Sequence, residues 1–497
     1  MKKTTLTAIL LSTALCMALT GCASEIQPVN TSSDSSAVQT NASEAETSQT
    51  EGTRSTETTE TTDMLRGGGG FAPNGDFGNM AGFGDAASSA SNAISSDTVI
   101  TVTKGSSALD TSDIFSDRDS TQTADLSDAK TITVSDGNTI EITEEGVYII
   151  TGTAQNCTIK VDAGKSDKVQ LVLDGVNITN ENFPAIYVVS ADKCFITTTD
   201  STNNLSVTSS FNSDGDTNTD AVIFSKDDIV FNGVGTLNIT CANDNGISCK
   251  DGIKFTGGTY SIISAKDSIE AKDFIAVSGG SFTVNSKKDA MHCEDDEDGS
   301  VGWIYISGGE FDITASDDGI QATTILQIDG GTFDIEAAEG LEGTYVQING
   351  GNISISASDD GINASYKTTA ISIPAVEFNG GETTIVMAQG DTDAVDANGN
   401  IYVNDGTITI TGVSSFDYDG TGELNGGTVT VNGQKLTSLP NQMMGGGGTG
   451  GWGGDAAFGG QNDQNGQNGF GGMNDRNGFG RGGQGGFGGR GGFGTRM

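Results

Sequence analysis

Glycine pairs begin at Gly257, Gly279, Gly308, Gly330, Gly350 and Gly380; Asp405-Gly406 fills the next slot and a final pair begins at Gly426. The intervals are 22, 29, 22, 20, 30, 25 and 21 residues, and a repeat of that size predicts a solenoid. Each turn lies between two alternating apolar segments, as in Ile304-Tyr305-Ile306-Ser307-Gly308-Gly309-Glu310-Phe311-Asp312-Ile313. Such period-two alternation puts one face inward. No unit has room for an amphipathic helix, so the repeat is strand and turn alone. Three short strands per coil, stacked about 4.8 Å from their counterparts in the next coil, predict an all-β, right-handed parallel β-helix over about 97–440. Only Pro184, Pro374 and Pro440 fall in this region, as expected where proline would break a hydrogen-bonded ladder. Two insertions, Glu294 to Gly302 and Tyr366 to Ala375, predict loops bordering a binding surface. The stretch from Asp97 to Asn204 alternates without glycine pairs, which predicts irregular first coils and an N-terminal cap over the open end.

Aligning the coils on their glycines brings a second column into register. Asp220, Asn245, Asp267, Asp289, Asp318, Glu339, Asp360 and Asp393 each precede a small residue. Three positions further on stand Glu270, His292, Gln321, Glu342, Asn363 and Asp396. Asp and Asn suit a turn before glycine by capping their own backbone, which accounts for any single coil. It accounts poorly for the column, because like charges about 5 Å apart cost about 3 kcal/mol per pair at an effective dielectric near 20. A divalent ion between coils reverses that cost by taking carboxylate oxygens from above and below. The expected calcium ligands are Asp267 with Glu270 and Asp289, Asp318 with Glu339 and Glu342, and Asp360 with Asp393 and Asp396; Asp317 and Asp359 either add ligands or face solvent. A further column, Lys226-Asp227, Lys250-Asp251 and Lys272-Asp273, reads first as a self-neutralising surface ladder. Its sharper reading has Lys250 and Lys272 receiving substrate carboxylates. Trp303, Tyr345 and Tyr366 offer sugar-stacking faces near the ladder, or simply pack.

Compartment and partners follow from the ends and the charge. Lys2 and Lys3 precede an apolar run ending in Leu19-Thr20-Gly21-Cys22, the pattern of a signal peptide over 1–21 with Cys22 as lipidated first residue. The expectation is a protein held by lipid on the outer face of the cell membrane. Residues 23–96, rich in Ser, Thr and Gly, and the Gly-rich 441–497 cannot bury a core and read as disordered linker and tail. The net charge of −42 and the single histidine disfavour nucleic acid and imidazole-based sites, and favour a hard cation held by oxygen. Beyond Cys16 and Cys22 five cysteines remain. An odd number at irregular spacing argues against a disulfide framework and for small buried hydrophobes.

Val172-Leu173-Asp174-Gly175-Val176, Ala185-Ile186-Tyr187-Val188, Ile223-Phe224-Ser225-Lys226-Asp227-Asp228 and the Asp-Asp-Gly-Ile coils resemble a bacterial carbohydrate-binding family known mainly from clostridial surface proteins. The resemblance runs from about Asp97 to Val431. It implies a pectate-lyase-like fold, calcium between coils, and binding of cellulose or acidic, pectin-like polysaccharide. Lyases of that fold class use an arginine or lysine base beside calcium, and no arginine occurs between Arg118 and Arg476. Lys250, Lys272 and Lys287 remain as bases. The adjacent pairs Asp317-Asp318 and Asp359-Asp360 do not flank one bond automatically, since neighbours on a strand point to opposite faces. A non-catalytic polysaccharide binder is therefore the first reading, with a polyuronate lyase and a structural adhesin as alternatives.

Overall fold

The computed structural model describes residues 99–441 apart from Asp296 and Asp391; the signal sequence, Cys22, the 23–96 linker and all but the first residue of the 441–497 tail lie outside the described residues. The described chain is all strand and turn, with 32 strands. Every pairing between named strands is parallel except the terminal hairpin of Thr428–Val431 with Gln434–Lys435.

The pairings sort the strands into three columns, to each of which a full coil contributes one strand. The first contains Asn245–Cys249, Ile269–Ala271, Met291–Cys293 and the start of Asp318–Ile328. The second contains Trp303–Ile306, the end of Asp318–Ile328, the end of Glu339–Ile348 and Ala375–Phe378. The third contains Glu310–Thr314, Thr332–Ala337, Asn352–Ala357 and Glu382–Met387. Apolar residues that alternate along these strands point inward and form a continuous core.

Each glycine of a pair answers a separate demand. In Gly308-Gly309 a Cβ on the first would lie 2.8 Å from the Ser278 carbonyl oxygen of the preceding coil, while the second has φ +117°. The first is thus required by close stacking and the second by a left-handed turn. Two residues on, Phe282, Phe311 and Phe333 stack through the interior at centroid separations of 4.8 and 4.6 Å. Phe311→Leu keeps apolar volume but breaks this stack; it is expected to cost about 1 kcal/mol, read as a lower urea midpoint at unchanged slope. The cysteines behave as expected, all five described ones being buried and free.

The start of the folded region departs from expectation. The first coils, without glycine pairs as expected, begin at Lys130, whereas residues 99–129 contain no strand. They form a strap along the outside of the second column, running from late coils to early ones. Lys104 pairs with Glu423 at 2.7 Å, Gly105 and Leu109 donate backbone N–H groups to Glu377 and Gln327, and Asp119 reaches Lys193 and Lys254. Ile100, Val102, Ala108 and Leu109 pack on Ile325, Tyr345, Ile371 and Ala375. Alternation alone could not distinguish such a strap from a coil.

Both insertions leave the corner between the first and second columns. They approach one another, since a Cβ on Gly299 would stand 2.9 Å from the Ala370 Cβ.

Candidate metal and glycan site

The acidic column is built where the third column turns into the first. Ala290 donates its N–H to the Asp318 carbonyl, and Gly340 and Gly361 do the same to Asp360 and Asp393. Side chains tie the coils as well: the N–H groups of Asp289, Asp318 and Asp393 donate to Oδ1 of Asp267, Asp289 and Asp360 at 3.0–3.1 Å. One carboxylate oxygen per aspartate therefore serves the turn, and Asn245 serves it equally through its amide oxygen. The second oxygen is what a neutral residue would lack. The residues three positions on are in strict register: Glu270 opposite His292, then Gln321, Glu342, Asn363 and Asp396, with Asp417 continuing the line.

The three expected metal sets have different surroundings. Glu270 turns away from Asp289 and accepts from Asn245 Nδ2 at 2.6 Å, with Lys250 3.7 Å away. The place beside Asp267 and Asp289 is taken by Lys288, whose Nζ stands 3.1 Å from Oδ2 of each, and by His292 Nδ1 at 3.5 Å. Burial works against the charged forms of Lys288 and His292, but the two aspartates outweigh it and raise both pKa values. Asp267, Asp289 and His292 still bring ligand atoms within 4.8 Å of one another, with the Lys288 ammonium beside both aspartates.

The second set does converge. Asp318, Glu339 and Glu342 bring ligand atoms within 4.8 Å of one another. Gln321 Nε2 bridges Asp318 and Glu342. Asn363 Nδ2 donates to Glu339 at 3.0 Å, while its buried Oδ1 has no hydrogen-bond partner. Lys367, supplied by the second insertion, pairs with Glu342 at 2.6 Å. One lysine does not balance three carboxylates: burial and then Glu342 push Asp318 up to about 9, and the same two causes push Glu339 up to about 7. Buried carboxylates that repel one another, with an unpartnered amide oxygen beside them, suit an oxygen-coordinated divalent ion.

The third set, Asp360, Asp393 and Asp396, is not among the clusters within that distance in the described residues, and Ser414 donates to Asp393. Burial is the largest cause lifting Asp360 to about 6 and Asp396 to about 7. Asp317 is exposed but joins Asp289 and Asp318 in a further cluster.

The proposed sugar contacts are partly used by the protein itself. Lys250 and Lys272 are engaged by Asp220 and Glu270 and by Asp295 and Glu297, so they do not neutralise their own column. Asp251 and Asp273 instead face each other, and burial first, with this contact, raises Asp251. Trp303 stacks face to face on Phe274 at 4.8 Å. Tyr345 is buried under the strap and donates to Glu377. Tyr366 alone of the three is largely exposed, at 62%. Lys288 and Lys367 were missed by sequence reasoning; the only signal was their position beside the acidic columns.

The chain belongs to the family of carbohydrate-binding domain-containing proteins, which matches residues 136–394, more than half its length. A curated member from Acetivibrio thermocellus is 38% identical over 125 residues, covering 24% of this chain and 44% of that protein. The chain thus matches less than half the length of that relative. A solved structure described as a polysaccharide lyase-like protein from C. thermocellum, gadolinium derivative, is 29% identical, with a TM-score of 0.40 over 42% of this chain and 90% of the other.

Proposed function

We propose that this protein is a calcium-dependent, non-catalytic polysaccharide binder built on a right-handed parallel β-helix and held at the cell surface through Cys22. The handedness follows from the general preference of crossovers between parallel strands. The observation that carries the reading is the converged Asp318, Glu339 and Glu342 cluster, in a chain of a carbohydrate-binding family. Gln321 and Asn363 bring side-chain amides to the same cluster through their hydrogen bonds to Asp318, Glu339 and Glu342. A bound calcium ion would supply positive charge for the carboxylates of an acidic, pectin-like chain, while Tyr366 offers an exposed ring; cellulose is the neutral alternative. Surface attachment rests on the Leu19-to-Cys22 motif.

The lysines argue for binding over lyase chemistry. Lys288, paired with Asp267 and Asp289, has its pKa raised and stays protonated, which disqualifies it as a general base at neutral pH. Lys367 is ion-paired. Incubation with polygalacturonate and calcium is expected to retain the protein on the polymer, to lose that retention in EDTA, and to release no unsaturated uronide. Unsaturated product would establish a lyase instead, and absence of retention on both polyuronate and cellulose would leave only a structural role.

A further inference from the structure

The corner where the second column turns into the third is chemically unlike the acidic one. Asp329, Asn349, Asn379, Asn404 and Asn425 stand there one per coil. Each asparagine Nδ2 donates to the Oδ1 of the coil before it, at 2.7, 2.8, 2.8 and 3.0 Å in turn. Such a ladder steadies its turns without any ligand, so what matters is the hydrogen-bonding capacity left over. An amide has two N–H donors and two acceptor lone pairs. Asn349 and Asn404 spend a second N–H on Gln347 and Glu377, whereas Asn379 spends only one in the ladder. Each of Asn349, Asn379 and Asn404 accepts one ladder bond and keeps a second lone pair. The result is a row of amide oxygens at the coil spacing of about 4.8 Å, with one spare N–H at its centre.

The strap makes this row one wall of a groove. Lys104, Gly105, Ser106, Ser107 and Thr111 face Asp329, Asn349, Asn379 and Asn404 across an open space of about 830 Å³. The only acid on that lining is already committed: Asp329 Oδ1 accepts from Asn349 and Gln327, and Oδ2 accepts from Tyr305. Lys104 is likewise held by Glu423 and lies over the Tyr402 ring. The groove therefore gives a polyanion or a metal ion little to bind, and gives hydroxyl groups a regular set of acceptors. An extended sugar chain advances per residue by nearly the coil spacing, so successive sugars would meet equivalent amides.

We propose that this groove is a second, metal-independent glycan site that takes an extended neutral polysaccharide chain. It rests on the polysaccharide reading above but not on the acidic corner. The probe is cellohexaose, titrated calorimetrically in EDTA into the parent, into Ser106→Trp, which fills the groove from the strap and leaves every ladder residue in place, and into Asn379→Ala. Binding by the parent, weakened about tenfold or more in both variants, with the Ser106→Trp melting temperature unchanged, is the expected result. Equal affinity in parent and Ser106→Trp overturns the groove while leaving polysaccharide binding intact. No cellohexaose binding by a parent that still binds polygalacturonate with calcium overturns the second site alone. Failure to bind either glycan overturns both readings.

Discussion

Asp318→Asn is expected to raise the melting temperature of the calcium-free protein at pH 8 and to abolish most of the stabilisation that calcium gives the parent. Asp318 is 4% exposed, and burial, Glu342, Asp289 and Glu339 in that order lift its carboxyl to about 9. Its unfolded value is near 3.8, so between those limits the folded state holds a proton that the unfolded state has lost. Stability then falls as pH rises, and the whole penalty is present above about pH 9. Glu339, at about 7, adds a penalty of the same sign over a narrower window. An amide carries no such cost. A gain of about 2 kcal/mol at pH 8, or roughly 4 °C for a domain of this size, is the expected scale. In the parent, calcium at a hundred times its dissociation constant should add about 2.7 kcal/mol, and its affinity should rise from pH 6 to pH 9 as it displaces protons. Melting curves of both proteins, with and without calcium, across that range test this. A variant that keeps the parent's calcium response would place the ion elsewhere. Asp360→Asn is the control, since Asp360, Asp393 and Asp396 do not form one of the close clusters.

Periodicity made the three columns legible, because inward residues and turn glycines recur wherever coils stack. The acidic column and its companion three residues on were legible for the same reason, and Asp318 opposite Glu339 and Gln321 opposite Glu342 are neighbours in register. Side-chain choice within a register was not. Glu270 leans to Asn245 rather than Asp289, and Lys288 swings into the space between Asp267 and Asp289, since a long flexible side chain settles by local charge rather than by repeat position. Lys367 arrives from an insertion, where no repeat constrains it. The strap was illegible for a further reason: its partners, such as Glu423, lie up to 319 residues away.

The strap also gives the second large effect. Asp119→Ala is expected to cost about 3–5 kcal/mol, as removal of one member of a buried ion pair does, and to open residues 99–129 to proteases while the coils stay folded. The Asp119 side chain is 1% exposed, with Lys254 Nζ at 3.3 Å and Lys193 Nζ at 3.4 Å, both themselves largely covered. Its backbone carbonyl accepts from Asn232 and Thr256, so the same residue docks the chain by two means. Burial alone would raise its pKa; the Ser116 N–H and the two lysines outweigh burial and lower it. The stabilisation is therefore present above the unfolded value near 3.8 and is lost as pH falls through the lower folded value. Asp119→Asn separates charge from geometry: it can keep the hydrogen bond from Ser116 but leaves Lys193 and Lys254 facing each other with only Asp228, 4.0 Å from Lys193 Nζ, as an anion, and should fall between parent and alanine. Limited proteolysis with mass mapping of the cut sites reads the outcome. Fragments cut first within 99–129 in the alanine variant would mark the strap as a separately anchored element, whereas an unchanged cleavage pattern and melting temperature would mean that its other contacts, the apolar ones of Ile100, Val102 and Leu109 and the polar ones to Glu377, Gln327 and Glu423, hold it without Asp119.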